Sequence, residues 1–235
     1  MQGETGLKLS ERLAAIAAMV PAGMTLADIG TDHAYLPIAL VSEGKVPRAI
    51  AGDVHEGPYK AAALAVSSQG LSACIDVRFG DGLSVLFPGE AAAIAIAGMG
   101  GATIVEILSN RLDIIRETSC LVLQPMTAAG TVRKWLAANG WRLVKEELVL
   151  EDGRLYEIMA AERGQSTEHE AVIWEIGPLL WTSRHPLLAL HISQLITKTN
   201  RVISEMSNSG KALCTVKYRE LEAFSKDLEE KQACL

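Results

Sequence analysis

The sequence predicts an α/β fold: a doubly wound, mostly parallel sheet that ends in an antiparallel pair, followed by an α-helical hairpin. Three observations carry this expectation. The apolar content of 49% comes from aliphatic residues and alanine, with only 5% aromatic, a composition suited to parallel strands buried under helices on both faces. Short apolar runs at 24–29, 48–53, 74–79, 92–97 and 119–124 each end at Gly, Asp or Pro, and all but the third lead into a helix-like stretch. That alternation is the mark of a doubly wound sheet. Beyond about Gln165 the strand pattern disappears and a heptad seam takes over.

In chain order the first element is a helix. Leu9, Leu13, Ile16 and Val20 recur at helical spacing behind Ser10, a good N-cap, and Pro21-Ala22-Gly23 stops the helix. The five parallel strands follow. Residues 141–150 and 155–161 then read as the arms of a hairpin, because Glu151-Asp152-Gly153-Arg154 puts an Asp-Gly turn pair between them. Leu188, Ile192, Leu195, Thr199, Val202 and Met206 lie 4, 3, 4, 3 and 4 residues apart, a seam with one polar break. Ser207-Asn208-Ser209-Gly210 interrupts it, and Leu221, Phe224 and Leu228 resume it, so a short antiparallel coiled-coil hairpin is the simplest structure there. At 235 residues the chain exceeds one average domain and falls short of two. We divide it into a sheet domain, 1–164, and a helical domain, 165–235.

Composition excludes some partners. With 22 Lys+Arg against 28 Asp+Glu, the net charge of −6 offers no overall attraction to nucleic acid, so a polyanion must meet a local basic patch. Met1 to Lys8 lacks the charged-then-apolar pattern of a signal segment, and no apolar run approaches a membrane span. We expect a soluble, cytoplasmic protein, monomeric and without a membrane partner. Cys74, Cys120, Cys214 and Cys234 show neither Cys-x-x-Cys pairing nor zinc spacing, so no metal is assigned, and Cys74 and Cys120 read as buried free thiols.

The chemistry-bearing residues stand at strand ends. Asp28-Ile29-Gly30-Thr31-Asp32-His33-Ala34 closes the first strand, with Gly30 allowing a tight turn and close approach of a ligand. Asp28 and Asp32 make this turn acidic, which disfavours a pyrophosphate and suits a ligand carrying an ammonium and a sulfonium. The alternative is a structural turn in which Asp28 caps the next helix. Asp53 ends the second strand 23 residues beyond Gly30, where a carboxylate can accept from both hydroxyls of a ribose. Gly80-Asp81-Gly82 follows the third strand, placing a carboxylate for an adenine amino group. Ala97-Gly98-Met99-Gly100-Gly101 follows the fourth, with exposed backbone and a methionine suited to a flat ring. Gln124-Pro125 closes the fifth, with an amide for a base edge or a mere sheet cap. A Gly-x-Gly-x-x-Gly pattern is absent, Asp32 and Ala34 occupying its later positions.

On these residues, together with Leu9-Ser10-Glu11-Arg12-Leu13, Tyr35-Leu36-Pro37, Glu56-Gly57-Pro58 and Glu151-Asp152-Gly153, the chain resembles the bacterial tRNA adenine-22 N1-methyltransferases along essentially its whole length. These are class I methyltransferases with a Rossmann-like sheet and a helical C-terminal extension. The resemblance implies S-adenosyl-L-methionine as cofactor. It would be held by Arg12, reaching the carboxylate, and by Asp28, Gly30, Thr31, Asp32, His33, Asp53, Val54, Gly80, Asp81, Gly82, Ala97, Gly98, Met99, Gly100 and Gly101. Relatives usually carry Asn after Gln-Pro and this chain has Met126, so base positioning is expected from Gln124, Asp152 and Tyr156 instead.

Adenine N1 carries an in-plane lone pair, so methyl transfer needs alignment more than a strong general base. N1 also lies on the Watson–Crick edge, so the base must be extruded to react. Between Ser183 and Arg219, Arg184, Lys198, Arg201, Lys211, Lys217 and Arg219 face only the acid Glu205, and this is the expected tRNA surface; the alternative is that these charges only solvate a hairpin. An NAD-dependent oxidoreductase and a non-catalytic RNA-binding module are the competing functions.

Overall fold

A computed structural model describes residues 8–208 and 215–235; Lys211, Cys214 and the Ser209-Gly210 part of the expected interruption lie outside the described residues. The described chain divides into two units at Thr167/Glu168.

The first unit is a seven-stranded sheet in the order β3-β2-β1-β4-β5-β7-β6. Its strands are β1 Leu26–Ile29, β2 Ala49–Asp53, β3 Ile75–Phe79, β4 Ala93–Gly100, β5 Cys120–Thr127, β6 Trp141–Glu151 and β7 Arg154–Arg163. The first five pair in parallel, and β7 enters antiparallel between β5 and β6. Helices α1 Glu11–Met19, α2 Tyr35–Ser42, α3 Glu56–Ser68, α4 Gly101–Asn110, α5 Leu112–Glu117 and α6 Ala129–Ala138 cover it, and only a 3₁₀ turn, Gly82–Val85, follows β3. Asp152 and Gly153 turn the hairpin with φ of 50° and 75°, the doubly positive geometry for which an Asp-Gly pair is suited.

Strand pleating sorts side chains between two cores. Leu26, Ala49, Ala51, Ala93, Ala95, Cys120 and Val122 face one core, shared with α1, α2 and α3. Ala27, Ile29, Ile50, Ile94, Ile96, Leu121 and Leu123 face the other, which Ile104, Leu108, Ile114, Val132 and Leu136 of α4 to α6 complete. The first face is alanine-rich on β2 and β4. Small residues there let the helix layer settle close, and the parity that places them also puts Asp28 and Gln124 on the α1 side.

Helix α1 is fastened at both ends. Ser10 Oγ accepts from Leu13 N at 3.3 Å and Glu151 Oε1 from Arg12 N at 3.0 Å, satisfying two of the free N–H groups of its first turn. Lys45 Nζ donates to Ala17 O and Ala18 O at 2.6 and 3.3 Å at the other end.

Two strand ends depart from expectation. The strands expected to stop at Ala97 and Gln124 run on to Gly100 and Thr127, with register shifts between Ala97 and Gly100, so the supposed Gly98–Gly101 loop is a bulged strand leading directly into α4. Gly101 must be glycine, since a Cβ there would stand 2.5 Å from Ala128 O. Cys120 is buried as expected, but Cys74 is only half-buried; burial and the nearby Glu162 push the Cys120 thiol up to about 11.

A buried ion network locks the hairpin onto α6. Arg133 Nε donates to Glu146 Oε1 at 2.6 Å and Nη2 to Glu157 Oε2 at 2.7 Å, with Arg133 and Glu146 out of contact with solvent. A bulge between Leu143 and Lys145 shifts the pleat by one residue, bringing Glu146 opposite Met159 on the α6 face.

In the second unit, α7 Ala171–Ile176, α8 Pro178–Ser183, α9 Leu188–Asn208 and α10 Val216–Ala233 form their own core, with Val172, Ile173, Ile176, Leu180, Leu188, Ile192 and Leu228 buried. Buried His191 Nε2 meets Ile176 O at 3.1 Å. Helices α9 and α10 run antiparallel, bridged by Gln232 Nε2 to Ser193 Oγ (2.7 Å), Ser225 Oγ to Asn200 Oδ1 (2.7 Å) and Ser207 Oγ with Tyr218 OH (3.3 Å). These polar bridges repeat every seventh residue along both helices. No helix among the described residues is long and apolar enough to cross a membrane, and no group of three metal-binding side chains occurs among them.

Arg133→Met is expected to lower unfolding free energy by about 3 kcal/mol or more, because it strands a buried carboxylate; urea denaturation of the full chain measures it, and an unchanged midpoint would contradict the role of the network.

Candidate active site

The strand order reverses between β1 and β4, and ligands of open α/β sheets sit at such a point, beyond the C-terminal strand ends. A cavity of about 680 Å³ opens there, between the first turn of α1, the β1–α2 turn and the end of β4. Its size suits a nucleoside-sized ligand. Of the expected cofactor residues, Arg12, Asp28, Gly30, Thr31, Asp32, Ala97 and Gly98 line it. Lys8, Leu9, Ser10, Leu13, Tyr35 and Leu36 also line it and were not foreseen.

The β1–α2 turn is held tightly. Gly30 N and Thr31 N both donate to Gly52 O, at 2.8 and 3.1 Å. Gly30 has a φ of 76°, which calls for glycine, and a Cβ on it would also push aside the terminal methyl of Met99. The Met99 thioether thus covers this turn. His33 and Ala34 follow with φ of 60° and 52°, strained values for non-glycine residues that aim the chain into α2. The His33 ring stacks on Tyr35 at 5.3 Å, and its Nε2 lies 3.3 Å from the exposed Asp32 carboxylate.

Asp28 lies inside this frame. Its register partners are Ala51 and Ala95, which offer it neither charge nor hydrogen bond. Burial pushes its pKa up to about 6; the nearby Thr31 hydroxyl opposes the rise and the Asp53 carboxylate adds to it. Thr31 Oγ1 is itself buried without a hydrogen-bond partner of good geometry. Asp53 is buried at the end of β2, its Oδ1 accepting from His55 N at 2.7 Å.

The opposite wall is cationic. Arg12 Nη1 donates to Gln124 Oε1 at 2.9 Å, and its guanidinium lies 5.4 Å from the centre of the Tyr156 ring. Arg154 sits 5.5 Å from that centre, so two guanidinium groups share one ring. Glu151 takes the backbone N–H of Arg12 and has its own pKa lowered first by that bond and further by the Arg12 charge, while the Arg12 guanidinium itself donates to the neutral Gln124. Gln124 is fully buried; its Oε1 also accepts from Gly98 N at 3.1 Å and its Nε2 meets Met126 Sδ at 3.4 Å.

The other expected residues are spread along the same strand-end edge. Exposed Val54 follows Asp53, Gly80 N donates to Asp53 O at 3.0 Å, and exposed Asp81 precedes the 3₁₀ turn that Gly82 opens. Asp152 is exposed in the hairpin turn, where its left-handed φ gives it a structural reason to be Asp. Sequence reasoning missed the pairing of Arg12 with Gln124. The one available signal was that both residues belonged to short motifs without a partner.

Because the Asp28 pKa is 3.8 in the free side chain and about 6 when folded, the folded protein holds this proton more tightly. Its contribution to stability is therefore favourable below about pH 4, falls as pH rises through 6, and is flat above, a loss of about 3 kcal/mol. Urea midpoints across that window should show the fall in the wild type and lack it in Asp28→Asn; identical profiles would refute the assignment.

Comparison with known proteins agrees with this geometry. A family model described as a methyltransferase domain matches residues 9–159. The tRNA (adenine(22)-N(1))-methyltransferase of Bacillus subtilis is 38% identical over 209 residues, covering 87% of this chain and 88% of that protein. The crystal structure of the B. subtilis M1A22 tRNA methyltransferase TrmK superposes with a TM-score of 0.86 at 36% identity, over 96% of this chain and 99% of that one. The structure of M. capricolum TrmK in complex with S-adenosyl-homocysteine does so with a TM-score of 0.83 at 25% identity, over 96% and 98%. With a methyltransferase domain matched over residues 9–159 and the B. subtilis enzyme 38% identical over 87% of the chain, the chain belongs to the tRNA (adenine(22)-N(1))-methyltransferase family.

Proposed function

We propose that this protein transfers a methyl group from S-adenosyl-L-methionine to ring N1 of the adenine at position 22 of tRNA. The observation that carries the reading is the charge distribution of the cavity: Arg12, its guanidinium donating to the neutral Gln124, on one wall, Asp28 and Asp32 on another. That arrangement fits a ligand ending in a carboxylate and an ammonium, and it repels the pyrophosphate of a dinucleotide, which weighs against the oxidoreductase. Buried Thr31 Oγ1, beside Asp28 in the cavity wall, and Gly98, with open space where a Cβ would lie, fit a ligand at close quarters.

When bound, the cofactor supplies a methyl group on an electrophilic sulfonium. The chain's own residues do the rest by placement. Arg12 holds the carboxylate end, Asp28 and Asp32 face the ammonium, and Asp53 offers its second oxygen to ribose hydroxyls. Gly80, Asp81 and Gly82 with Val54 take the adenine end, and the Met99 thioether packs over the Gly30 turn. Tyr156, whose ring lies near both Arg12 and Arg154, provides an aromatic side chain for the extruded target base. Asp152, at the hairpin tip, is placed to stabilise the cationic methylated base. No strong general base is needed, since N1 presents its lone pair directly.

Residues 1–164 then form the cofactor domain and residues 165–235 a coiled-coil tRNA-contacting domain. Arg184, Lys198, Arg201, Lys217 and Arg219 are exposed on the latter; Arg201 is paired to Glu205 at 2.9 Å and Arg184 donates to Leu235 O at 3.3 Å. The same reading makes the protein a cytoplasmic monomer.

Incubating the protein with unmodified tRNA and S-adenosyl-L-methionine should create a reverse-transcription stop at position 22, because an N1 methyl blocks pairing; a stop elsewhere, or none, defeats the site assignment. Calorimetry should show binding of S-adenosylhomocysteine and not of NAD, whereas tRNA binding without either ligand would favour the non-catalytic module. Lys198→Glu with Arg201→Glu is expected to weaken tRNA binding by about tenfold or more and to flatten its salt dependence, with cofactor affinity unchanged. Unaltered tRNA binding would reject the helical surface.

A further inference from the structure

We infer that Gln124 is a positioning residue: a neutral buried acceptor that aims the Arg12 guanidinium into the cavity without cancelling its charge, so that the charge remains for the cofactor carboxylate. The inference rests on the methyltransferase reading above.

Gln124 Oε1 has two donors, Arg12 Nη1 at 2.9 Å and Gly98 N at 3.1 Å. Both are N–H groups, so only an oxygen can sit there, and the orientation of the amide is decided. Both lone pairs of that oxygen are occupied. The remaining Nε2 meets Met126 Sδ, and the side chain is wholly buried, so Gln124 acts through its neighbours rather than by touching a substrate base.

Each of its two bonds has a separate consequence. The bond to Gly98 N draws that N–H out of the β4–β5 ladder, at the register shift between Ala97 and Met99, and holds the Gly98 backbone at φ 78° on the cavity wall. The bond to Arg12 fixes a guanidinium on α1 that also lies against the Tyr156 ring and feels the charge of Glu151 from a distance. A glutamate would make the same two hydrogen bonds. It would also form a buried, charge-neutral pair with Arg12, and a guanidinium so paired has little attraction left for a second carboxylate. The choice of amide over carboxylate is therefore the specificity device.

The test is calorimetric titration of wild type and Gln124→Glu with S-adenosylhomocysteine and with methylthioadenosine, which lacks the amino-acid end. Gln124→Glu is expected to weaken S-adenosylhomocysteine by about tenfold or more and methylthioadenosine by no more than about twofold. Equal losses for both ligands, or no loss for S-adenosylhomocysteine, overturn the inference, since a merely structural glutamine would not distinguish them. If Gln124→Glu does not fold, Gln124→Met, which leaves Arg12 without an acceptor, should likewise lose S-adenosylhomocysteine preferentially; an unchanged preference overturns the inference. Failure of the wild type to bind S-adenosylhomocysteine would instead refute the cofactor reading on which it stands.

Discussion

The pleat of the parallel sheet governs this molecule. On β2 and β4 alternate residues facing α1, α2 and α3 are alanines, while those facing α4 to α6 are isoleucines. The thin face admits the first helix layer closely enough to enclose whatever polar group shares its parity. Three do, Asp28, Asp53 and Gln124, all in the C-terminal halves of their strands, beyond which a ligand can begin.

Enclosure alone does not make a binding site; what matters is that neither charge is satisfied by the fold. Asp28 sits between two alanines and keeps its proton to about pH 6, while Arg12 is steadied by an amide and an aromatic ring instead of a carboxylate. Elsewhere the protein behaves differently. Arg133 meets Glu146 and Glu157, and Arg78 meets Glu90 at 2.5 Å, each a buried or half-buried guanidinium neutralised by carboxylates. The contrast separates charges neutralised by carboxylates within the fold from charges that line the cavity.

The helical unit follows another logic. Its α9 and α10 are bridged every seventh residue by neutral polar pairs, which constrain register without using the cations. Lys198, Lys217 and Arg219 thus stay on the solvent side, available to phosphate, in a chain whose total charge is negative.

What the sequence determined by itself was local and periodic. The first helix with its Ser10 cap, the run of parallel strands, the Asp-Gly hairpin and the acidic turn around Gly30 were legible because each depends on residues a few positions apart. The set of short motifs then pointed to one family of enzymes. Tertiary structure alone decided the rest. The bulge before Lys145 turned Glu146 toward α6, against the parity its strand would suggest. The strand expected to end at Ala97 continued with a bulge, at which a side chain 26 residues away takes the Gly98 N–H. Gln124, expected at a base edge, spends its oxygen on Arg12, 112 residues distant. No periodicity encodes such pairings; they follow from which strands become neighbours, and with them the reason Arg12 keeps its charge.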